Sequence, residues 1–116
     1  MATGATGKAI QALLFGILLL TVAPAEAQNI AAGQAIAERL CSRCHAITPN
    51  QKSKHALAPP FPVIAQRYSV WGLQEALAEG IIVGHADMPK FVFSPPQIDD
   101  LLGFMDTFTR NQGRAK

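Results

Sequence analysis

The chain has 116 residues, 49% of them apolar and 16% charged, with a formal net charge of +2 and two cysteines. That composition excludes a disordered chain and a strongly basic nucleic-acid binder, and the cysteine count excludes a disulfide-dense mini-scaffold. One small domain is the size expected.

The amino-terminal stretch reads as a targeting segment. Met1 to Lys8 carries the terminus and one lysine, Ala12 to Ala23 is a nearly unbroken apolar run, and Pro24 precedes the small-x-small triplet Ala25-Glu26-Ala27. A basic start, a short apolar centre and a small-residue exit predict a secretory signal peptide over residues 1–27, cut so that the mature chain begins at Gln28. The alternative is an uncleaved anchor, but a spanning helix needs about 20 apolar residues. Gln11, Thr21, Pro24 and Glu26 interrupt the run first. The mature chain, residues 28–116, is thin enough to need a staple beyond its own core.

Asn29 is placed to cap a helix over Ile30 to Cys44, with Ile36, Leu40 and Cys44 at four-residue spacing and Gly33 and Ala37 on the same side. Thr48 to Pro62 is rich in proline and reads as a loop. A short helix is expected over Val63 to Tyr68. Ser69 precedes another over Val70 to Glu79, which would bury Leu73, Ala76 and Leu77 and stop at Gly80. Ile81 to Phe93, interrupted by Gly84 and Pro89, is irregular. The final helix has the strongest local signals. Ser94 and Gln97 form a capping box, Pro95 takes the first helical position, and Phe93 and Ile98 are spaced as a hydrophobic staple. Asp99 and Asp100 suit the positive end of the helix dipole. Ile98, Leu101, Leu102, Met105 and Phe108 make the buried stripe. Gly103 inside it costs about 1 kcal/mol against alanine, which a close helix contact would offset. No segment alternates with period two, so the fold class is all-α.

Both cysteines fall in one pentapeptide, Cys41-Ser42-Arg43-Cys44-His45. Shuffling this composition gives on the order of 0.0004 such matches, so chance is a poor account of it. The spacing is that of covalent haem attachment. Each thiol adds across a porphyrin vinyl group, and the histidine after the second cysteine lies beneath the ring with Nε2 towards iron. A redox-active Cys-x-x-Cys belongs at a helix start in a βαβ pattern, whereas this pair ends a helix. A zinc site needs four ligands, and only His55 and His85 remain to supply them. The pattern therefore predicts one haem c on Cys41 and Cys44, with His45 as one axial ligand. Met88, stiffened by Pro89, is the leading candidate for the other. His85 competes with it, a vacant position is the third possibility, and Met105 reads as a gap-filler of the core. His55, in the polar loop, reads as solvated. Phe61, Ile64, Tyr68, Leu73, Leu77, Ile81, Phe91 and Phe93 are candidate pocket walls, and Arg67 and Trp71 are candidate propionate contacts.

These motifs make the chain resemble the class I c-type cytochromes, small bacterial periplasmic electron carriers, over nearly all of residues 29–110. Cys41 to His45 matches the attachment motif, Gly33 the glycine of the family's first helix, and Asp100 to Met105 its last helix. The resemblance implies a cytochrome c fold, its terminal helices crossing nearly at right angles beside a covalently bound haem. It also implies that Pro59, in Ala58-Pro59-Pro60-Phe61, accepts the Nδ1 hydrogen of His45, and that Asp87-Met88-Pro89-Lys90-Phe91 is the methionine-ligand loop. The implied function is single-electron transfer in the periplasm, not catalysis. Partners would be redox proteins met by transient contact, with no nucleic acid, the membrane approached only through partner complexes, and the chain a monomer. The alternatives are a haem sensor or peroxidase-like enzyme with a labile sixth ligand, or a cytochrome module of a dehydrogenase. Two departures stand out. Ala37 occupies a position usually aromatic, and Arg43, Lys52, Lys54 and Lys90 make only a thin basic ring. With two propionates set against +2, long-range electrostatic steering would be weak.

Overall fold

The computed structural model describes Met1 and residues 26–80 and 87–113; the apolar segment up to Ala25, together with Ile81, Gly84 and His85, lies outside these. The described residues form helices and no strand. Helix α1 spans Ile30–Ile36, α2 Phe61–Arg67, α3 Gln74–Glu79 and α4 Pro95–Gly113. Helix α4 is the centre of the arrangement and packs against the other three.

Asn29 starts α1 as its cap, its side-chain oxygen accepting from the Ala32 N–H at 3.0 Å. Its own N–H donates to Asp100 Oδ1 at 2.7 Å, which ties the start of α1 to α4. The α-helix does not run on to Cys44 as its spacing suggests. From Ala37 to Cys41 the turn widens to π geometry, with the Ser42 N–H bonded to Ala37 O at 2.9 Å. The Ser42 hydroxyl takes the Glu38 carbonyl at 2.6 Å, and the N–H groups of Cys44 and His45 both fold back onto Cys41 O. A side chain and a turn thus satisfy carbonyls that a longer helix would have bonded. The widened turn leaves Ile36 and Ala37 buried, with Leu40 and Cys41 packed beside them.

Pro62 does not exclude helix from the segment before Val63. It lies in the first turn of α2, where no intrahelical N–H is required, so the helix starts at Phe61. Phe61 also donates its N–H to Ala46 O at 2.8 Å. A 3₁₀ turn, Val70–Leu73, leads into α3, which ends at Gly80 in the left-handed region with φ 70°. Leu73, Ala76 and Leu77 are half-buried rather than fully buried: Leu73 and Leu77 pack against the core, and all three also line a cleft.

In α4 the Gln97 side chain accepts from the Ser94 N–H at 3.0 Å and from its hydroxyl at 3.1 Å. Ile98, Leu101, Leu102 and Met105 are buried as the stripe requires. Phe104 is buried as well and meets Phe108 edge to face with ring centroids 5.4 Å apart. The Thr109 hydroxyl donates to Ala65 O at 3.1 Å, fastening α4 to α2.

The close contact between α1 and α4 is at Gly33, where an added Cβ would run into the backbone carbonyl of Asp100. At Gly103 a Cβ would meet only side chains, Gln28 Cβ at 3.0 Å and Ile30 Cδ1 at 3.2 Å. The Asp100 carbonyl inside α4 cannot step aside, whereas Gln28, whose Cβ moves with its backbone, lies in irregular chain before α1 that can give by a few tenths of an ångström. Gly33→Ala is therefore expected to destabilise the fold by about 1–3 kcal/mol or more. Gly103→Ala, which gains about 1 kcal/mol of helix propensity, is expected to be near neutral. Thermal melts of the two variants check this, and equal losses would mean that the crossing is not centred on Gly33.

Candidate functional site

His45 follows the turn built on Cys41 O, and its Nδ1 lies 2.7 Å from the carbonyl oxygen of Pro59. A carbonyl can only accept, so the Nδ1 proton lies in this bond and the Nε2 lone pair is left for a metal. Each partner is held by further contacts. Phe61 N–H to Ala46 O joins the proline segment to the residue after His45, and the Ala46 N–H is taken by Ser53 Oγ at 3.0 Å. The Phe61 ring packs on the imidazole at 5.6 Å between centroids.

A cleft opens beside this imidazole in two lobes of about 860 and 750 Å³. His45 and Met88 line both lobes, and Cys41 and Cys44 line the second. Each lobe falls within the usual range for cofactor pockets, roughly 300–1,000 Å³. The walls are mostly apolar. Leu73, Leu77 and Phe91 are shared by both lobes, Ile64 belongs to the first, and Phe61 and Phe93 belong to the second. Phe91 and Phe93 stack at 5.7 Å, and the Phe93 N–H bonds Leu77 O at 2.9 Å, fixing the chain just after Met88.

The two thiols are free, and burial pushes Cys41 up to about 11. A redox or metal-binding thiolate needs the opposite shift, so the first cysteine behaves as an apolar thiol. Among the described residues no three of His, Cys, Asp and Glu are grouped to hold a metal ion. Zinc has no tetrahedral set there. What the cleft does offer is two thiols, an imidazole with Nε2 free and a thioether, between apolar walls. That donor set fits a covalently held haem.

Some residues singled out in the sequence take other places. Tyr68 is 64% exposed and forms the rim of the first lobe with Arg67. Trp71 packs half-buried against the core and lines neither lobe. Ile81 and His85 lie outside the described residues. Ala37 is completely buried, so its small side chain is what allows close packing there. Leu57 and Arg39 reach the cleft without having been anticipated; Leu57 is 76% exposed yet borders both lobes.

His55 is not simply solvated. Its side chain is 38% exposed, its N–H donates to Cys44 O at 3.1 Å, and its Nδ1 accepts from the Leu57 N–H at 3.2 Å. With Nδ1 an acceptor, the proton sits on Nε2, which faces Asp87 Oδ2 at 3.4 Å. No local pattern marks this pair, because the two residues are far apart in the chain and meet only across the cleft.

No described helix is long and apolar enough to cross a membrane. Compared with family models, curated proteins and solved structures, the chain matches none.

Proposed function

We propose that this domain is a single-electron carrier with one haem c bound through Cys41 and Cys44 and ligated by His45 and Met88, in a cytochrome c fold. The observation that carries the reading is the shared cleft. An imidazole with Nε2 free and a thioether border both of its lobes, and the two thiols of the attachment motif stand at its wall. When bound, the group supplies a one-electron change of iron charge.

The residues have separable tasks. Pro59 holds the His45 tautomer and ring orientation, and a hydrogen-bonded Nδ1 makes Nε2 the better donor. Cys41 and Cys44 would hold the porphyrin by thioether bonds, each thiol adding its sulfur to one carbon of a vinyl group and its hydrogen to the other. With His45 and Met88 both given to the iron, the chain would leave no coordination site for a substrate, which favours electron transfer over catalysis. Leu73, Leu77 and Phe91 exclude water from the ring, and an apolar surround disfavours the extra positive charge of the oxidised state. Thioether ligation acts in the same direction, so the potential is expected to lie above that of a bis-imidazole site. Exchange with partners would use the open rim, where exposed Leu57 and Arg43 border the cleft, in the small transient contacts of redox encounters.

A redox titration followed by absorption spectroscopy tests the reading. One reversible one-electron transition with a low-spin spectrum in both states is expected, and avid carbon monoxide binding by the wild-type ferrous protein would overturn it in favour of a sensor or enzyme. Export to the periplasm belongs to the same proposal. The native protein is expected to have an intact mass that begins at Gln28 and includes one haem, and retention of residues 1–27 in a membrane fraction would make the segment an anchor.

A further inference from the structure

We propose that His55 is a positioning residue for Met88, acting through Asp87; the inference rests on the reading of Met88 as an iron ligand. Three of the four polar groups of His55 are spent within its own loop and on the attachment motif. Its N–H is bonded to Cys44 O at 3.1 Å, its carbonyl accepts from the Ala58 N–H at 3.1 Å, and its Nδ1 accepts from the Leu57 N–H at 3.2 Å. The ring is therefore fixed, and the one group left over is Nε2–H, which faces Asp87 Oδ2 at 3.4 Å.

Asp87 is the residue immediately before Met88, and Pro89 is the residue immediately after it. The proline ring restricts the backbone on one side of the methionine. The His55 contact restricts it on the other, through a side chain. Both His55 and Asp87 line the second lobe of the cleft together with Met88, Cys41 and Cys44. The backbone of Cys44 is thereby linked, through one histidine and one aspartate, to the segment that carries the sulfur. A loop that detaches from that link gives the sulfur more ways to be off iron than on it.

The pair is half-exposed, with Asp87 at 73%, so its effect is modest. With His55 neutral the contact is a long N–H to carboxylate interaction, worth about two- to fivefold in an equilibrium.

The experiment measures how fast free imidazole replaces the sulfur in the ferric holoprotein at saturating imidazole, where departure of the sulfur sets the rate. His55→Ala and Asp87→Ala are each expected to raise that rate about two- to fivefold, and the double variant to be no faster than the faster single one. Asp87→Asn, which keeps an acceptor oxygen, is expected to fall between wild type and Asp87→Ala. Thermal midpoints of these exposed-site variants should stay close to wild type, which separates positioning from general loss of structure. Unchanged rates, or rate increases that multiply in the double variant, would overturn the coupling. Failure of the ligand reading shows separately: Met88→Ala would then have the wild-type spectrum, and positioning by His55 would fall with it.

Discussion

Replacing Met88 by alanine is expected to open the sixth coordination position, so that ferrous iron binds carbon monoxide avidly where the wild type binds it poorly. The cause is geometric. Met88 borders both lobes of the cleft, as His45 does, and the downstream chain is held by the Phe91–Phe93 stack and by the Phe93 N–H to Leu77 O bond. Among the other described donors at the second lobe, Met105 is buried in the core stripe of α4 and His55 has its Nδ1 taken by the Leu57 N–H. The potential is expected to fall by on the order of 0.1 V, a fraction of the roughly 0.8 V that axial-ligand choice spans. His85→Ala should change little in the same assays. The opposite pattern, with His85→Ala opening the site and Met88→Ala leaving the spectrum intact, would make the ligation bis-histidine and remove the expected high potential.

The choice between those two candidates rests on local sequence alone, since His85 lies outside the described residues. Met88 and His85 sit three residues apart in one irregular segment, and Pro89 was the one local reason to prefer the methionine. Local signals of that kind were accurate in α4, where Gln97 accepts from Ser94 and the stripe from Ile98 to Met105 is buried. They were accurate because caps, prolines and periodicity act within a few residues. The spacing that suggested helix through Cys44 missed the π turn, because that turn depends on the Ser42 hydroxyl taking the Glu38 carbonyl rather than on any apolar repeat. His55 and Asp87 were out of reach altogether. A lone histidine in a polar loop carries no sign of what it will face once the chain closes around the cleft.

Alanine at both Cys41 and Cys44 is expected to leave little stable product, with no cooperative thermal transition in whatever accumulates. The described helices bury one core cluster along α4 and leave further apolar surface open beside it. They surround a cleft whose walls, Leu73, Leu77, Ile64 and Phe91, are half-buried. Full burial of such a side chain is worth about 1.5–3 kcal/mol, so completing each half-buried wall residue adds on the order of 1 kcal/mol. Four of them supply a large share of the roughly 5–15 kcal/mol that holds a small domain folded. On the proposed reading a bond from His45 to iron would add to this, since a ligand that binds the folded chain alone stabilises it. Losing both tethers puts all of these contributions at the mercy of free haem concentration. Cys41→Ala alone keeps one tether and the His45 site, so it should accumulate as a less stable holoprotein. Far-ultraviolet melts and haem-staining gels of the single and double variants measure the difference. A compact double variant that unfolds cooperatively without haem would show that the helices pack well enough by themselves, and that the cleft is not the centre on which the fold depends.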